Sequence, residues 1–282
     1  MLDPSYHRNL DARGVSLSLG GRTLIMGVVN VTPDSFYAGS QYPATQAATE
    51  AALRQIAEGA DIVDFGGEST RPGHTPVGAE EELRRVIPVI ESMARATRAP
   101  ISIDTYKARV AEAALKAGAH IVNDVWGLSR EPDIARVAAA HDAAVVIMHN
   151  RETIDGSLDI IEEFRRFFGI ALERALKAGI RENRIVLDPG IGFGKSFEQN
   201  LAAIGRLKEL AAMGYPVLLG VSRKSFIGKL YSSEPPERLP GTIAANTIGV
   251  LAGASIVRVH DVAAHAQAMR IADRIKEEQC GA

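Results

Sequence analysis

Short, unbroken apolar runs alternate along the chain with stretches in which apolar residues recur every three or four positions. The first run, Leu24-Ile25-Met26-Gly27-Val28-Val29-Asn30, ends on an amide, and Ala44 to Glu58 follows at helical spacing. Such runs predict strands covered on both faces, because a strand open to water on one side alternates polar and apolar residues. The pattern returns at Ile62-Val63-Asp64-Phe65, with a helix predicted over Gly78 to Arg95 and a kink at Pro88. Ile101-Ser102-Ile103-Asp104 precedes Lys107 to Lys116, and His120-Ile121-Val122-Asn123-Asp124 precedes Pro132 to Ala140. Ala144-Val145-Val146-Ile147-Met148-His149 precedes Leu158 to Leu176, and Ile185-Val186-Leu187-Asp188 precedes Phe197 to Met213. Val217-Leu218-Leu219-Gly220-Val221-Ser222 is followed by Thr242 to Leu251, and Ile256-Val257-Arg258-Val259-His260 by Ala263 to Glu277.

Eight strand-helix units in about 250 residues is the arithmetic of a (β/α)8 TIM barrel. A doubly wound open sheet is the alternative. The polar residues favour the barrel. Asn30, Asp64, Asp104, Asn123, His149, Asp188, Ser222 and His260 each stand at or next to the carboxyl end of a run, and only a closed barrel brings eight such ends to one mouth. The chain reads as a single domain, residues 1–282, with its core from about residue 22 to about residue 278.

The ending after Leu187 is the most informative. In Asp188-Pro189-Gly190-Ile191-Gly192-Phe193-Gly194-Lys195, a dinucleotide fingerprint would need glycine in place of Lys195, and a P-loop would need it in place of Pro189. Both are excluded. What remains is an acceptor-only carboxylate at a strand tip with Phe193 beside it. It either meets a ligand or caps the helix that follows.

Composition narrows the function classes. A net charge of -2 over 282 residues offers no electrostatic case for nucleic acid or an anionic membrane. Met1 to Leu10 has no apolar signal core, and no stretch reaches membrane-spanning length. The single cysteine, Cys280, excludes a disulfide within the chain and fits a reducing, cytoplasmic setting.

Strand-tip carboxylates and amides, Asp104, Asn123 and Asp188, suit a flat heterocycle with several N–H donors, and Lys224 adds a cation for a ring carbonyl. Arg258 and His260 lie two apart on one strand and point to the same side. They form an anion clamp, or else Arg258 pairs with a carboxylate of the barrel rim. Phe36, Thr70 and Arg71, in polar loops with glycine, offer a second and more exposed compartment.

These residues fall in motifs that resemble the dihydropteroate synthase family of pterin-binding enzymes from Met26 to Val262. The matching stretches are Met26-Gly27-Val28-Val29-Asn30-Val31-Thr32-Pro33-Asp34-Ser35-Phe36, Gly66-Gly67-Glu68-Ser69-Thr70-Arg71-Pro72-Gly73, Ser102-Ile103-Asp104-Thr105 and Asn123-Asp124. They continue with Asp188 to Lys195, Ser222-Arg223-Lys224-Ser225 and Arg258-Val259-His260-Asp261.

The resemblance implies a transferase of folate biosynthesis and a target of sulfonamides. It would join 7,8-dihydropterin-6-ylmethyl diphosphate to p-aminobenzoate, giving 7,8-dihydropteroate and diphosphate. By that resemblance Asp104, Asn123, Met148, Asp188, Phe193 and Lys224 bind the pterin. Asn30, Arg258 and His260 hold the diphosphate, with Mg2+ bridging it at Asn30. Phe36, Thr70, Arg71, Pro72 and Ser225 form the p-aminobenzoate site, and Asp34, Lys224, Arg258 and His260 carry the catalysis. The expected partners are these small molecules and a second copy of the chain, met through the later helices.

The chain departs from the family pattern in two places. Tyr37-Ala38-Gly39-Ser40 stands where Ser-Asp-Gly-Gly is common, so Asp34 is left as the acid of its loop. Asn150 follows Met148-His149 where the family often has methionine. A catalytically silent pterin-binding paralogue and a corrinoid-linked methyltetrahydrofolate methyltransferase are the alternatives.

Overall fold

The computed structural model describes residues 9–32, 41–68 and 76–280. A hairpin of β1 (Asn9–Ala12) and β2 (Val15–Ser18) leads into β3 (Leu24–Asn30). Thereafter strands and helices alternate: α1 (Gln41–Ala57), β4 (Ile62–Gly66), α2 (Ala79–Ala96), β5 (Ile101–Asp104), α3 (Ala108–Ala117) and β6 (Ile121–Asp124). Next come α4 (Asp133–Ala140), β7 (Ala144–Met148), α5 (Ile160–Lys177), β8 (Ile185–Asp188), α6 (Phe197–Gly205) and α7 (Leu207–Ala211). The chain ends with β9 (Leu218–Leu219), α8 (Ser225–Leu230), α9 (Leu239–Leu251), β10 (Ile256–Val259) and α10 (Val262–Cys280).

Strands β3 to β10 form one parallel sheet in the order β8-β7-β6-β5-β4-β3-β10-β9. A parallel bridge between Leu187 and Val217, with the Leu187 N–H donating to the Pro216 carbonyl at 2.9 Å, joins its two ends into a barrel. The expected (β/α)8 barrel is the fold, and the open sheet is excluded.

Alternate strand residues face inward and outward, and the core divides accordingly. Met26, Ile62, Ile121, Val146, Val186, Leu218 and Ile256 form an inner cluster. Val29, Val63, Ile103, Val122, Ile147 and Leu187 form an outer one with Val86 and Ile90 of α2 and Phe164 and Phe168 of α5. The inward phase, continued past the last apolar layer, carries the polar residues. Register places Asn30, Gly66, Asp104 and Asn123 in one row across four strands, and Met148 beside Asp188. Asp64, level with Val28, lies one layer deeper, and Arg258, level with Met26, one deeper still.

Several local expectations change. The hairpin before residue 22 belongs to the packed interior: Leu10, Ala12 and Leu19 join the inner cluster and seal the barrel's amino-terminal end. The helix expected over Phe197 to Met213 breaks after Gly205, and the guanidinium of Arg206 turns to Asp159 and Glu209 at the break. Helix α2 runs through Pro88 as one element. Helices α1 and α9 start three residues earlier than periodicity suggests, α9 with a proline in its first turn, where the missing N–H has no helical partner to lose. The run Val217 to Ser222 is regular strand only at Leu218–Leu219.

Candidate active site

The inward polar residues converge at the carboxyl ends of the strands. Gly220 marks the meeting point: a Cβ there would lie 3.8 Å from Asp188 Oδ2, 3.9 Å from Arg258 Cβ and 4.0 Å from Lys224 Nζ. Asp104, Asn123, Met148 and Asp188 are buried around it, and Asn30 and Lys224 are half-buried.

Asp188 ends β8, and its Oδ1 accepts from the Gly190 N–H at 2.7 Å, so it closes its own turn and does not cap α6. That cap is Ser196, in a reciprocal box with Gln199. The turn demands glycine: Gly190 has φ +62°, and a Cβ would fall 1.9 Å from the His149 carbonyl oxygen. Burial raises the Asp188 pKa, with Lys224 opposing. Burial likewise lowers Lys224 to about 8, with Asp188 opposing. The Lys224 ammonium donates to the Ile191 carbonyl and sits 4.7 Å from the centre of the Phe193 ring.

Arg258 lies across the floor of the mouth. Its Nε donates to Asp64 Oδ2 and its Nη2 to Asp104 Oδ2, each at 2.7 Å. Asn123 Nδ2 donates to the same Asp64 oxygen at 3.1 Å. Arg258 thus pairs with carboxylates inside the barrel. Burial pushes Asp104 up to about 7 in spite of Arg258. One oxygen each of Asp104 and Asp64 and the Asn123 carbonyl oxygen are buried without a hydrogen-bond partner, a set of acceptors for N–H groups.

At the rim, Ser222 Oγ and His260 Nδ1 are 2.9 Å apart, and Arg223, at φ +58°, bonds Asp261 through Nε at 3.0 Å. These contacts tie the segment bearing Lys224 to the one bearing Arg258 and His260. Ser225 is exposed at the first position of α8. Asp34, Phe36, Thr70, Arg71 and Pro72 lie outside the described residues.

The donor set bears on the expected Mg2+. Among the described residues no group of three or more His, Cys, Asp or Glu side chains forms a metal cage. Mg2+ is commonly held by one or two carboxylates plus substrate phosphates; Asn30, at the top of the inward row beside Gly66, would offer it one amide oxygen.

Residues 26–260 match the profile of pterin binding enzymes. The chain belongs to that family. Similar pterin-binding relatives include the dihydropteroate synthase of Bacillus subtilis (strain 168), 46% identical over 92% of this chain and 90% of its own length. A crystal structure of the Clostridium difficile dihydropteroate synthase with pteroic acid superposes with a TM-score of 0.89 at 52% identity, covering 91% of this chain and 98% of that one. The Xanthomonas albilineans dihydropteroate synthase with 4-aminobenzoic acid gives 0.91 at 43% identity, covering 96% and 98%.

Sequence reasoning missed two parts of this pterin-binding fold. Asp64, counted only among the strand-end polar residues, is fully buried and links Arg258 to Asn123; that bridging role is what was missed. Glu68, Lys107 and Glu82 form a buried ion-pair group beside the second loop. Glu68 Oε2 also accepts from the Val77 N–H at 3.3 Å, joining the described residues on the two sides of that loop.

Proposed function

We propose that the protein is a dihydropteroate synthase, joining 7,8-dihydropterin-6-ylmethyl diphosphate to p-aminobenzoate with release of diphosphate. The observation that carries the reading is the convergence at one mouth of buried acceptors, Asp104, Asn123 and Asp188, with two cations, Lys224 and Arg258. A pterin offers a matching edge: an amino group and ring N–H for the acceptors, and a ring carbonyl for Lys224. Met148 and Phe193 flank the ring. The Arg258 edge and His260 meet the diphosphate, and Ser225, with Phe36, Thr70, Arg71 and Pro72, receives p-aminobenzoate.

The aniline nitrogen is a weak nucleophile, so the rate depends on making the methylene carbon electrophilic. The C–O bond to diphosphate breaks, the electron-rich dihydropterin delocalises the developing positive charge, and the C–N bond forms as the nitrogen loses a proton. Arg258 and His260 neutralise the leaving oxygens. Mg2+, when bound with the diphosphate near Asn30, supplies further neutralisation. Asp34 is the remaining acid of the first loop.

Purified protein should release diphosphate and form dihydropteroate only with both substrates present, and sulfonamides should compete with p-aminobenzoate. Pterin binding without turnover would favour the silent paralogue, and methyl transfer from methyltetrahydrofolate to a corrinoid would favour the methyltransferase. We also propose a cytoplasmic homodimer. Ile248 and Leu251 of α9 and Ile271 and Ile275 of α10 are exposed on two helices that pack together, an apolar face suited to a second copy. Sedimentation at micromolar concentration tests it. Among the described residues no helix is long and apolar enough to cross a membrane.

A further inference from the structure

Lys195 follows the glycine turn after β8, yet its side chain folds back beneath that turn and is 4% exposed. Its Nζ lies 2.8 Å from the Gly190 carbonyl oxygen, 3.0 Å from that of Phe193 and 2.7 Å from His149 Nδ1. The His149 carbonyl oxygen, at 3.4 Å, is a fourth neighbour, and burial lowers the Lys195 pKa well below its ordinary value. On the other side of the ring, His149 Nε2 faces Glu163 Oε1 at 3.5 Å. The imidazole is fully buried, edge-on to Phe164 and Phe167. Burial, with the Lys195 charge adding to it, holds His149 neutral, its pKa lowered to about 2.

The segment that Lys195 holds has little rigidity of its own. Gly190, Gly192 and Gly194 all have positive φ, and glycine loses more conformational freedom on ordering than any other residue. Side chains order it instead. Asn200 Oδ1 accepts from the Gly192 N–H at 2.6 Å, and Arg151 Nη2 donates to the Gly194 carbonyl at 2.7 Å. Lys195 holds the two carbonyls that flank the part facing the mouth: Gly190, whose N–H fixes Asp188, and Phe193, whose ring meets Lys224.

We infer that Lys195 is a positioning residue for pterin recognition, braced by the His149 ring and acting through the Gly190 and Phe193 carbonyls on Asp188 and Phe193. The inference rests on the pterin reading of the site. Lys195 touches no substrate, and its effect reaches the ligand through the loop.

The test is calorimetric binding of the pterin diphosphate and of Mg2+-diphosphate to wild type, Lys195→Met, Phe193→Ala and the double variant, with melting temperatures alongside. Lys195→Met should raise the pterin Kd about tenfold or more, while the diphosphate Kd stays within about twofold. In the Phe193→Ala background the same change should cost less, because the two residues act on one loop. A purely structural lysine would lower the melting temperature and the fraction able to bind, but would leave the pterin Kd of the folded protein unchanged. That result would overturn the inference. If Lys195→Met does not fold, His149→Leu and His149→Asn replace it. His149→Leu removes the polar partner of Lys195 and should weaken pterin binding, whereas the asparagine oxygen stands near the Nδ1 position and should restore it. Equal affinities for these two variants would also overturn the inference. Wild-type protein that binds no pterin would overturn the functional reading itself, whereas wild-type binding with an unchanged Lys195→Met would overturn only the role of Lys195.

Discussion

Arg258 Nη2 lies 2.7 Å from Asp104 Oδ2. The cation that the proposed function assigns to an anion and the carboxylate it assigns to a ring N–H are therefore bonded to each other. Burial carries the Asp104 pKa from 3.8 to about 7, against the pull of Arg258. As pH falls through that value the carboxylate takes a proton and offers a donor where an N–H needs an acceptor. Pterin affinity should drop as pH is lowered from about 8 to about 6. Asp104→Asn should bind more weakly at the upper end and lose this dependence, which titration calorimetry across the range would read.

Removal of Arg258 strands two buried carboxylates. Arg258→Ala should cost roughly 3–5 kcal/mol of folding stability, the usual penalty for breaking a buried pair. Asp64→Asn in the same chain should recover part of that stability but none of the affinity for diphosphate. Denaturant unfolding and diphosphate binding, measured on both variants, separate the two roles. Equal losses of affinity for pterins with and without diphosphate would make Arg258 structural only.

Asp188→Asn tests the pterin edge directly. One Asp188 oxygen is committed to the Gly190 N–H, so the substitution turns the other acceptor into a donor facing an N–H. The expected loss in pterin affinity is about 2–4 kcal/mol. Affinity within about twofold of wild type would place the ring elsewhere.

Lys107 bonds both Glu68 and Glu82, and all three side chains are buried. Burial raises the Glu82 pKa, with Lys107 opposing. Lys107→Met leaves two facing carboxylates without their cation and should cost roughly 3–5 kcal/mol at about pH 7.5. The cost should be smaller at about pH 5.5. Without Lys107 the folded-state pKa of Glu82 rises further above its unfolded value, so the folded state binds the extra proton as pH falls and regains stability. Unfolding curves at the two pH values check both the size and the sign.

Periodicity and turn chemistry are local, and what depends on them was legible in the chain. Unbroken apolar runs such as Ile185-Val186-Leu187 announced strands covered on both faces, and a polar residue at each carboxyl end announced a common mouth. The glycines after Asp188, followed by helical spacing from Phe197, mark the loop in the sequence itself. What those same runs conceal is phase. When both faces of a strand are apolar, nothing local says which residue points into the barrel. Only closure of the sheet puts Asp64, Asp104 and Arg258 on one inward face, with the arginine 194 and 154 residues from its two partners. The hairpin was hidden for a related reason: Asn9–Ala12 and Val15–Ser18 are too short to show a period and are held by the barrel end they cover. Lys195 reads as one more polar residue before a helix. Its burial follows from positive φ at three glycines and from the place of His149 on a neighbouring strand end, which the barrel supplies.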